Sequence, residues 1–231
     1  MKTENMHNVI MLGEVNSTNE YCKSKNLPDG TIVVAKKQTG GKGTKGRSFV
    51  SSEGGIYLSF VKFAKNPSLL FSVLMSSCVA VCRTVQSFGL KPVIRWSNDV
   101  LVSGRKISGT LIENVISKGG GCRSIVGIGL NVCNILPHEL ENIATTISVE
   151  AGRQIGAEQV LPVLLSNLAK EYTCDDYRSY IDWFGRTVSL KTGDKNTEAV
   201  ALGVDDSGLL ICKIDGKIQK ISSAEVSLRL K

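Results

Sequence analysis

One amphipathic stretch between groups of β-type segments restricts the fold more than any other feature of this sequence. Residues 69–88 carry a stripe at helical spacing, made of Leu70, Val73, Leu74, Ser77, Val81 and Val85. This stripe predicts one long helix with a core-facing side. β-branched and aromatic segments predict strands before it, at 9–12, 31–37 and 56–63, and after it, at 93–96, 100–102, 107–116 and 124–128. The combination predicts a core of the α+β class.

The short polar segments between these elements have the composition of caps and turns. Ser17, Thr18 and Asn19 are good N-cap types and predict a short helix that runs toward Lys25. Ser103 and Gly104 predict a hairpin turn, and the glycine cluster at 118–121 predicts a loop.

The C-terminal part of the chain has a different texture. Residues 158–180 predict a second long helix, in which Pro162 is tolerated because we place it in the first turn. Beyond Gly185, five short strands are predicted at 187–191, 198–204, 209–214, 217–221 and 226–229, with Asp215-Gly216 as a hairpin turn. Roughly forty-five residues of short strands suit a small barrel-like module. We therefore predict two domains, 1–184 and 185–231.

Composition narrows the functional classes only in part. The 231 residues are 42% apolar, which suffices for one well-formed core with a small appended module. The net charge of +7 is spread along the chain and suits nucleic acid, nucleotide phosphates or an acidic protein partner equally. Seven cysteines occur without any CxxC, and the two histidines have no metal-ligand spacing, so we expect reduced thiols. With neither a signal-peptide core nor a membrane-spanning stretch, we expect a soluble cytoplasmic protein.

A glycine-rich basic loop at 41–47 is the first candidate for chemistry. It contains three glycines, Gly41, Gly43 and Gly46, and three cations, Lys42, Lys45 and Arg47, around Thr44. Glycines allow backbone N–H groups to approach a ligand, and cations neutralise phosphate. The loop matches GxGxxG, but a strand follows instead of the helix that dinucleotide binding requires. Kinase and Walker A motifs are absent, so by itself the loop is equally compatible with a solvated basic segment.

Two further groups lie downstream of this loop. Residues 95–99 combine an aromatic plane in Trp96, an amide in Asn98 and a carboxylate in Asp99, which suit a purine base or a metal-bound phosphate. Lys106 begins a strand between apolar residues, where a lysine can present a compact charge to a carboxylate or an α-phosphate. In isolation, Lys106 is better explained as a surface lysine.

The order of these motifs resembles the biotin protein ligase (holocarboxylase synthetase) family over residues 9–229. The series runs Ser-Thr-Asn, Gln-Thr-Gly with the basic loop, Trp-x-Asn-Asp, Arg-Lys-x-x-Gly and Gly-x-Gly-x-Asn. The resemblance implies a class II synthetase-like mixed sheet with flanking helices and an SH3-like C-terminal barrel. It also implies biotin, ATP and Mg²⁺ as ligands, and a biotin carboxyl carrier domain of a carboxylase as partner.

The resemblance further implies roles for individual residues. Lys106, Lys42 and Arg47 would be catalytic. Biotin would be bound by Ser17, Thr18, Asn19, Gln38, Gly41, Lys42, Gly43, Thr44 and Lys106. The nucleotide would be bound by Lys42, Thr44, Lys45, Arg47, Trp96, Asn98, Asp99, Lys106 and Asn131, with Asp99 also a candidate metal ligand.

The departures from the family pattern concern residues that would bind phosphate. Lys42 and Thr44 stand where the family loop usually has arginines, Arg95 stands where lysine is common, and Ser97 replaces a common proline. Lysine cannot form the two parallel hydrogen bonds of arginine. Because the chain begins directly at the catalytic domain, we expect neither DNA binding nor a repressor function, and we leave a homodimer open.

Two alternatives to a biotin ligase stay open at this point. A lipoate–protein ligase or octanoyl transferase would share the scaffold, although a transferase needs a cysteine nucleophile and none of the seven lies in a recognisable motif. A basic RNA-binding module with an SH3-like tail would need aromatics interleaved with cations, and only 6% of the chain is aromatic.

Overall fold

A seven-stranded sheet and a separate five-stranded sheet form the framework of the computed structural model, which describes residues 8–64, 69–116, 122–223 and 227–230. The large sheet has the order β1-β2-β3-β7-β6-β5-β4. Its first pair is parallel and every other pair is antiparallel, which confirms the mixed sheet. The strands are β1 Val9–Val15, β2 Ile32–Gln38, β3 Ile56–Ala64, β4 Pro92–Arg95, β5 Asp99–Val102, β6 Arg105–Ile116 and β7 Cys122–Leu130.

Helices cover both faces of the large sheet, because its strands alternate apolar residues between two sides. Ile32 and Val34 face the main core beneath α2, whereas Val33 packs with Cys22 of α1 on the opposite face. The helix predicted at 69–88 is confirmed as α2. The helices are α1 Thr18–Ser24, α2 Leu69–Gln86, α3 Ile147–Ala151, α4 Ala157–Leu168 and α5 Cys174–Arg178, with 3₁₀ turns at Thr44–Gly46 and His138–Leu140.

The prediction of one helix over 158–180 is wrong, because α4 ends at Leu168 and α5 begins at Cys174. Thr173 caps the new helix through a capping box with Asp176, which is a strong local start signal. The interruption redirects the chain so that Tyr177 is buried with its hydroxyl donating to the Ser97 carbonyl. Pro162 is the sixth residue of α4 and lies in its second turn, not in the first.

The predicted strands of the C-terminal part are all present. They are β8 Thr187–Thr192, β9 Lys195–Val204, β10 Leu210–Ile214, β11 Lys217–Ile221 and β12 Ser227–Leu230, in the antiparallel order β11-β10-β9-β8-β12. Both predicted hairpin turns are confirmed, since Ser103-Gly104 and Asp215-Gly216 have positive φ at both positions, as a type I′ turn requires. The predicted loop at 118–121 and the first residue of the strand predicted at 226–229 lie outside the described residues.

The two sheets share one hydrophobic core. Val188, Leu190 and Leu210 of the C-terminal sheet belong to the same buried cluster as Ile94 and Ile107 of the large sheet. Two tryptophans join the parts through their indole N–H groups: Trp96 donates to the Gly208 carbonyl at 3.0 Å, and Trp183 to the Ile94 carbonyl at 2.8 Å. Across the described ranges, no helix is both long enough and apolar enough to cross a membrane.

Candidate active site

A small polar cavity opens where α1, the end of β2, the glycine-rich loop, β6 and β7 meet. Its floor is set by the start of α1, because Ser17 caps the helix and leaves Thr18 and Asn19 buried beside the cavity. The cavity brings together every residue predicted to bind biotin except Gly41, namely Ser17, Thr18, Asn19, Gln38, Lys42, Gly43, Thr44 and Lys106. Asn98, which was predicted to bind the nucleotide, also lines it.

Gly41 shapes this cavity from behind and is not one of its lining residues. A side chain at Gly41 would collide with the Phe49 carbonyl and with Ser51 Oγ. These contacts let the loop turn back sharply on itself, since the Phe49 N–H donates to the Gly41 carbonyl at 2.9 Å. Gly41 therefore shapes the loop through its backbone, and its contact with biotin stays a prediction.

The cations of the loop are held by nearby groups. Lys42 Nζ lies 2.6 Å from Glu20 Oε1 on α1, and the hydrogen bonds from Lys42 and Lys23 lower the pKa of Glu20. Arg47 folds back onto its own loop, where its guanidinium donates to the Thr44 carbonyl at 3.2 Å and to Thr44 Oγ1 at 3.0 Å. Ligand binding would therefore require Lys42 or Arg47 to exchange these partners.

Lys106 lies at the inner end of the cavity in an ion pair with Asp99. Its Nζ is 2.6 Å from Asp99 Oδ1, and Arg95 is 2.6 Å from Asp99 Oδ2. Burial opposes ionisation of Asp99, but the charges of Lys106 and Arg95 outweigh it and lower the pKa of the carboxyl. The Phe49 ring, with its centroid 5.6 Å from Lys106 Nζ, adds a cation–π contact.

Gly109 provides the space for this ion pair. It pairs with Asp99 across β5 and β6, and a side chain there would meet Lys106 Nζ at 2.8 Å and Asp99 Oδ1 at 3.3 Å. Gly109 is the glycine of the Arg-Lys-x-x-Gly motif, and no role was predicted for it.

A larger groove of about 500 Å³ adjoins the cavity, and Thr44 and Asn98 line both spaces. The groove continues past Ser97 to the C-terminal sheet, where Lys191, Gly193 and Ser223 form its far wall. Among the described residues that line the groove, four cations, Lys45, Arg47, Arg95 and Lys191, face one carboxylate, Asp99. Such an excess of positive charge suits a polyanion such as a triphosphate.

Two residues predicted to bind the nucleotide lie differently from that expectation. Trp96 lines the groove, but its side chain belongs to the hydrophobic core and is 4% exposed, so little of the ring is open for stacking. Asn131 lines neither space, because its Nδ2 donates to the Thr145 carbonyl at 3.1 Å. Its backbone N–H donates to the Ile107 carbonyl, beside Lys106.

Several lining residues were missed by the sequence-based prediction. Phe49, Thr110, Gly127 and Gly129 complete the cavity. A side chain at Gly127 would collide with Asn19, and one at Gly129 would meet the Phe49 ring at 2.6 Å. The Gly-x-Gly spacing on β7 is the signal that could have identified them, since alternate strand residues share a face.

Comparisons with known proteins agree with this geometry. The profile of the Biotin/lipoate A/B protein ligase family matches residues 12–131, and that of the Biotin protein ligase C terminal domain matches residues 184–229. The chain is 32% identical to the bifunctional ligase/repressor BirA of Bacillus subtilis (strain 168), over 99% of this chain and 76% of that protein. It is 29% identical to the biotin--[acetyl-CoA-carboxylase] ligase of Paracoccus denitrificans, over 94% of this chain and 98% of that protein.

A solved structure extends the similarity to three dimensions. The biotin protein ligase of Aquifex aeolicus in complex with biotin and ATP has a TM-score of 0.83 and 30% sequence identity. The match covers 97% of this chain and 100% of that chain.

Proposed function

Because the chain belongs to the Biotin/lipoate A/B protein ligase family, we propose that it is an ATP-dependent biotin protein ligase. It activates biotin as biotinyl-5′-AMP and transfers biotin to a lysine of a biotin carboxyl carrier domain. One observation carries this assignment: a small cavity lined by Lys106 adjoins a cationic groove, and the two spaces share Thr44 and Asn98. A carboxylate substrate in the cavity and a nucleotide in the groove would face each other there.

The chemistry requires two anionic groups to approach each other. The biotin carboxylate attacks the α-phosphorus of ATP, an oxygen–phosphorus bond forms, and pyrophosphate leaves with the electrons of the broken bond. Lys106, which lines the cavity and pairs with Asp99 of the groove, would neutralise both the carboxylate and the α-phosphate. This stabilisation would grow toward the transition state. In the second step a carrier lysine amine attacks the mixed anhydride, AMP leaves, and the amine loses a proton.

Magnesium enters this proposal as part of the MgATP substrate. Within the described ranges, no cluster of three or more His, Cys, Asp or Glu side chains could hold a metal ion. Asp99, the predicted metal ligand, has both carboxylate oxygens in ion pairs. The residues therefore suit a magnesium ion carried mainly by phosphate oxygens and water, with Asp99 as the one carboxylate among the described residues of the groove.

Lipoate ligase or octanoyl transferase is the alternative on the same scaffold. The Paracoccus relative and the solved Aquifex structure are both named as biotin ligases, and the latter is a complex with biotin and ATP. A transferase would also need a reactive thiol. None of the six cysteines whose side chains the structure describes lines the cavity or the groove. Burial raises the pKa of Cys78, which lies beneath Thr110, to about 12.

The acceptor and the compartment follow from the same assignment. The Paracoccus relative is named for acetyl-CoA carboxylase, and we propose the carrier domain of such a carboxylase as the acceptor. The basic chain suits an acidic carrier surface. We place the reaction in the cytoplasm, a reducing compartment, since the six cysteines whose side chains are described are all free thiols.

Transfer to a purified carrier domain tests the proposal. The protein is incubated with MgATP, the carrier domain, and either biotin or lipoate, and intact-mass spectrometry then detects the modified lysine. A biotin adduct that requires ATP is the expected result. A lipoyl adduct in place of the biotin adduct, or no adduct with either acid, would contradict it.

A further inference from the structure

A chain of hydrogen bonds lies beside the small cavity; it is buried at Ser59 and ends on the half-buried Glu113 of β6. Glu113 Oε2 accepts from Asn19 Nδ2 at 2.7 Å, and Glu113 Oε1 pairs with Lys23 Nζ at 2.6 Å. A carboxylate held by a lysine offers only acceptor oxygens to its other neighbour. The amide of Asn19 is therefore fixed, with Nδ2 toward Glu113 and Oδ1 toward Ser59.

Gln38 fixes the opposite end of this chain. Its Nε2 donates to Ser51 Oγ at 2.9 Å, and Ser51 Oγ donates to the Phe49 carbonyl at 2.9 Å. Its Oε1 accepts from the backbone N–H of Thr18 at 2.8 Å. Gln38, like Asn19, thus presents an oxygen to the two hydroxyls that lie between them, those of Thr18 and Ser59.

These two hydroxyls make three close oxygen–oxygen contacts but have two protons. Ser59 Oγ lies 2.5 Å from Asn19 Oδ1 and 2.7 Å from Thr18 Oγ1, and Thr18 Oγ1 lies 3.1 Å from Gln38 Oε1. Each contact needs one proton, and each hydroxyl carries one. The two shorter contacts are satisfied when Thr18 donates to Ser59 and Ser59 donates to Asn19. The longest contact, between Thr18 Oγ1 and Gln38 Oε1, is then left with two acceptors and no proton.

Under the proposed function, a ring N–H of biotin supplies this proton. We propose that Glu113, acting through Asn19 and Ser59, is the positioning residue that leaves this contact without a proton and so makes the cavity select an N–H donor. Thr18 and Gln38 both line the cavity, whereas Glu113 does not and acts through Asn19. The inference rests on the proposed function, because the ureido ring of biotin carries N–H groups that fit this pair of oxygens.

Replacing Glu113 by glutamine reverses the chain. Lys23 can only donate, so it holds the oxygen of the new amide and turns the new NH₂ toward Asn19. Asn19 must then rotate, so that its Nδ2 donates to Ser59. Ser59 donates to Thr18, and Thr18 donates to Gln38. All three contacts now have a proton, and the cavity no longer needs one from the ligand.

Calorimetric titration without ATP measures this selectivity. The probes are biotin and its two cyclic carbamate analogues, each with one ring N–H replaced by oxygen. In the wild-type protein, one analogue is expected to bind at least tenfold more weakly than biotin, since an acceptor left facing the acceptor pair loses a hydrogen bond. In Glu113→Gln the ratio of the Kd of this analogue to the Kd of biotin falls roughly tenfold. The matched control is Glu14→Gln, which removes the charge of an exposed glutamate paired with Lys37 at 2.7 Å; its ratio stays at the wild-type value.

Ser59→Ala provides a second variant if the glutamine protein fails to fold. It removes the hydroxyl to which Thr18 donates, so the Thr18 proton turns toward Gln38 and the ratio falls in the same way, while the Glu113–Lys23 ion pair is kept. Equal weakening of biotin and both analogues, or an unchanged ratio in the folded variants, would overturn the inference and leave the proposed function standing. A wild-type protein that binds none of the three compounds would instead contradict the proposed function.

Discussion

Lys106 Nζ lies 2.6 Å from Asp99 Oδ1, and this ion pair stands between the two spaces of the site. Lys106 lines the small cavity, whereas Asp99 lines the cationic groove. The Asp99 carboxylate thus pairs with the lysine in the way that a substrate carboxylate or phosphate would during the reaction. The pair explains how the lysine can be held in one orientation, next to both spaces, before either substrate arrives.

Removal of Lys106 should abolish most of the adenylation activity. Lys106→Ala is expected to cost about 3 kcal/mol in adenylate formation, the scale of one lost charge-stabilising donor. Lys106→Arg should also fail, because a planar guanidinium does not replace a point charge beside Gly109. Lys213→Ala, at an exposed lysine on β10, is the control. Single-turnover formation of labelled adenylate checks this, and a near-normal rate in Lys106→Ala would exclude the assigned role.

Lys191 should contribute to ATP binding from the C-terminal sheet. Its side chain lines the groove and makes no hydrogen bond or ion pair with the rest of the described chain. Lys191→Ala is expected to raise the KM for ATP about fivefold, the effect of one partly exposed charge contact of about 1 kcal/mol. The KM for biotin should stay unchanged. Lys195→Ala, at a neighbouring exposed lysine that does not line the groove, is the control. Equal KM values for ATP in the two variants would place the triphosphate elsewhere.

Thr44 should weaken the retention of the adenylate. The Thr44 hydroxyl accepts from Arg47, and the ammonium of the neighbouring Lys42 is paired with Glu20. Neither side chain therefore offers an unpaired cation to the adenylate. Thr44→Arg adds a charge-assisted contact of roughly 1.5–3 kcal/mol and should slow release by about tenfold or more. Stopped-flow release and streptavidin blotting of self-biotinylation measure the change. Equal release and equal background labelling would mean that the clamp lies elsewhere in the loop.

The sequence predicts the elements of this fold better than their relative placement. The leucine and valine stripe of α2 and the I′ turn at Asp215-Gly216 are local signals, and both are confirmed. The break between α4 and α5 was not predicted, because the regular leucine stripe of α4 favoured one continuous helix over the start signal of the capping box at Thr173. At the site, composition identified Lys106 and Asp99 separately. Their pairing depends on the β5–β6 register, with its irregularity between Val100 and Leu101, which no spacing in the sequence reveals.

Asp205 should stabilise the turn that supports Trp96. Its Oδ1 accepts from the N–H groups of Ser207 and Leu209, and its Oδ2 pairs with Lys220 at 2.8 Å. The adjacent Gly208 carbonyl accepts from the Trp96 indole. Although burial opposes ionisation, the Lys220 and Ser207 hydrogen bonds lower the pKa of Asp205 strongly. Asp205→Asn is therefore expected to reduce the free energy of unfolding by about 1 kcal/mol at pH 7.

The sign of the pH dependence follows from the lowered pKa of Asp205. A carboxyl with a lower pKa in the folded state stabilises fully above its unfolded pKa, near 4, and loses that contribution as the pH falls through the folded value. The difference between wild type and Asp205→Asn should thus narrow below about pH 4. Urea unfolding at several pH values measures it. Asp194→Asn, in the turn between β8 and β9, removes an exposed carboxylate as the control; a constant difference from pH 7 to pH 3 would contradict the assignment.

Biotin-dependent exchange of pyrophosphate into ATP tests the central claim most directly, because it reports the first chemical step without any acceptor protein. The small cavity and the cationic groove adjoin at Thr44 and Asn98, and Lys106 of the cavity forms an ion pair with Asp99 of the groove. Exchange should therefore require biotin, should not be supported by lipoate, and should fall about a hundredfold in Lys106→Ala. Exchange that proceeds with lipoate but not with biotin, or that is absent with both acids, would contradict the account.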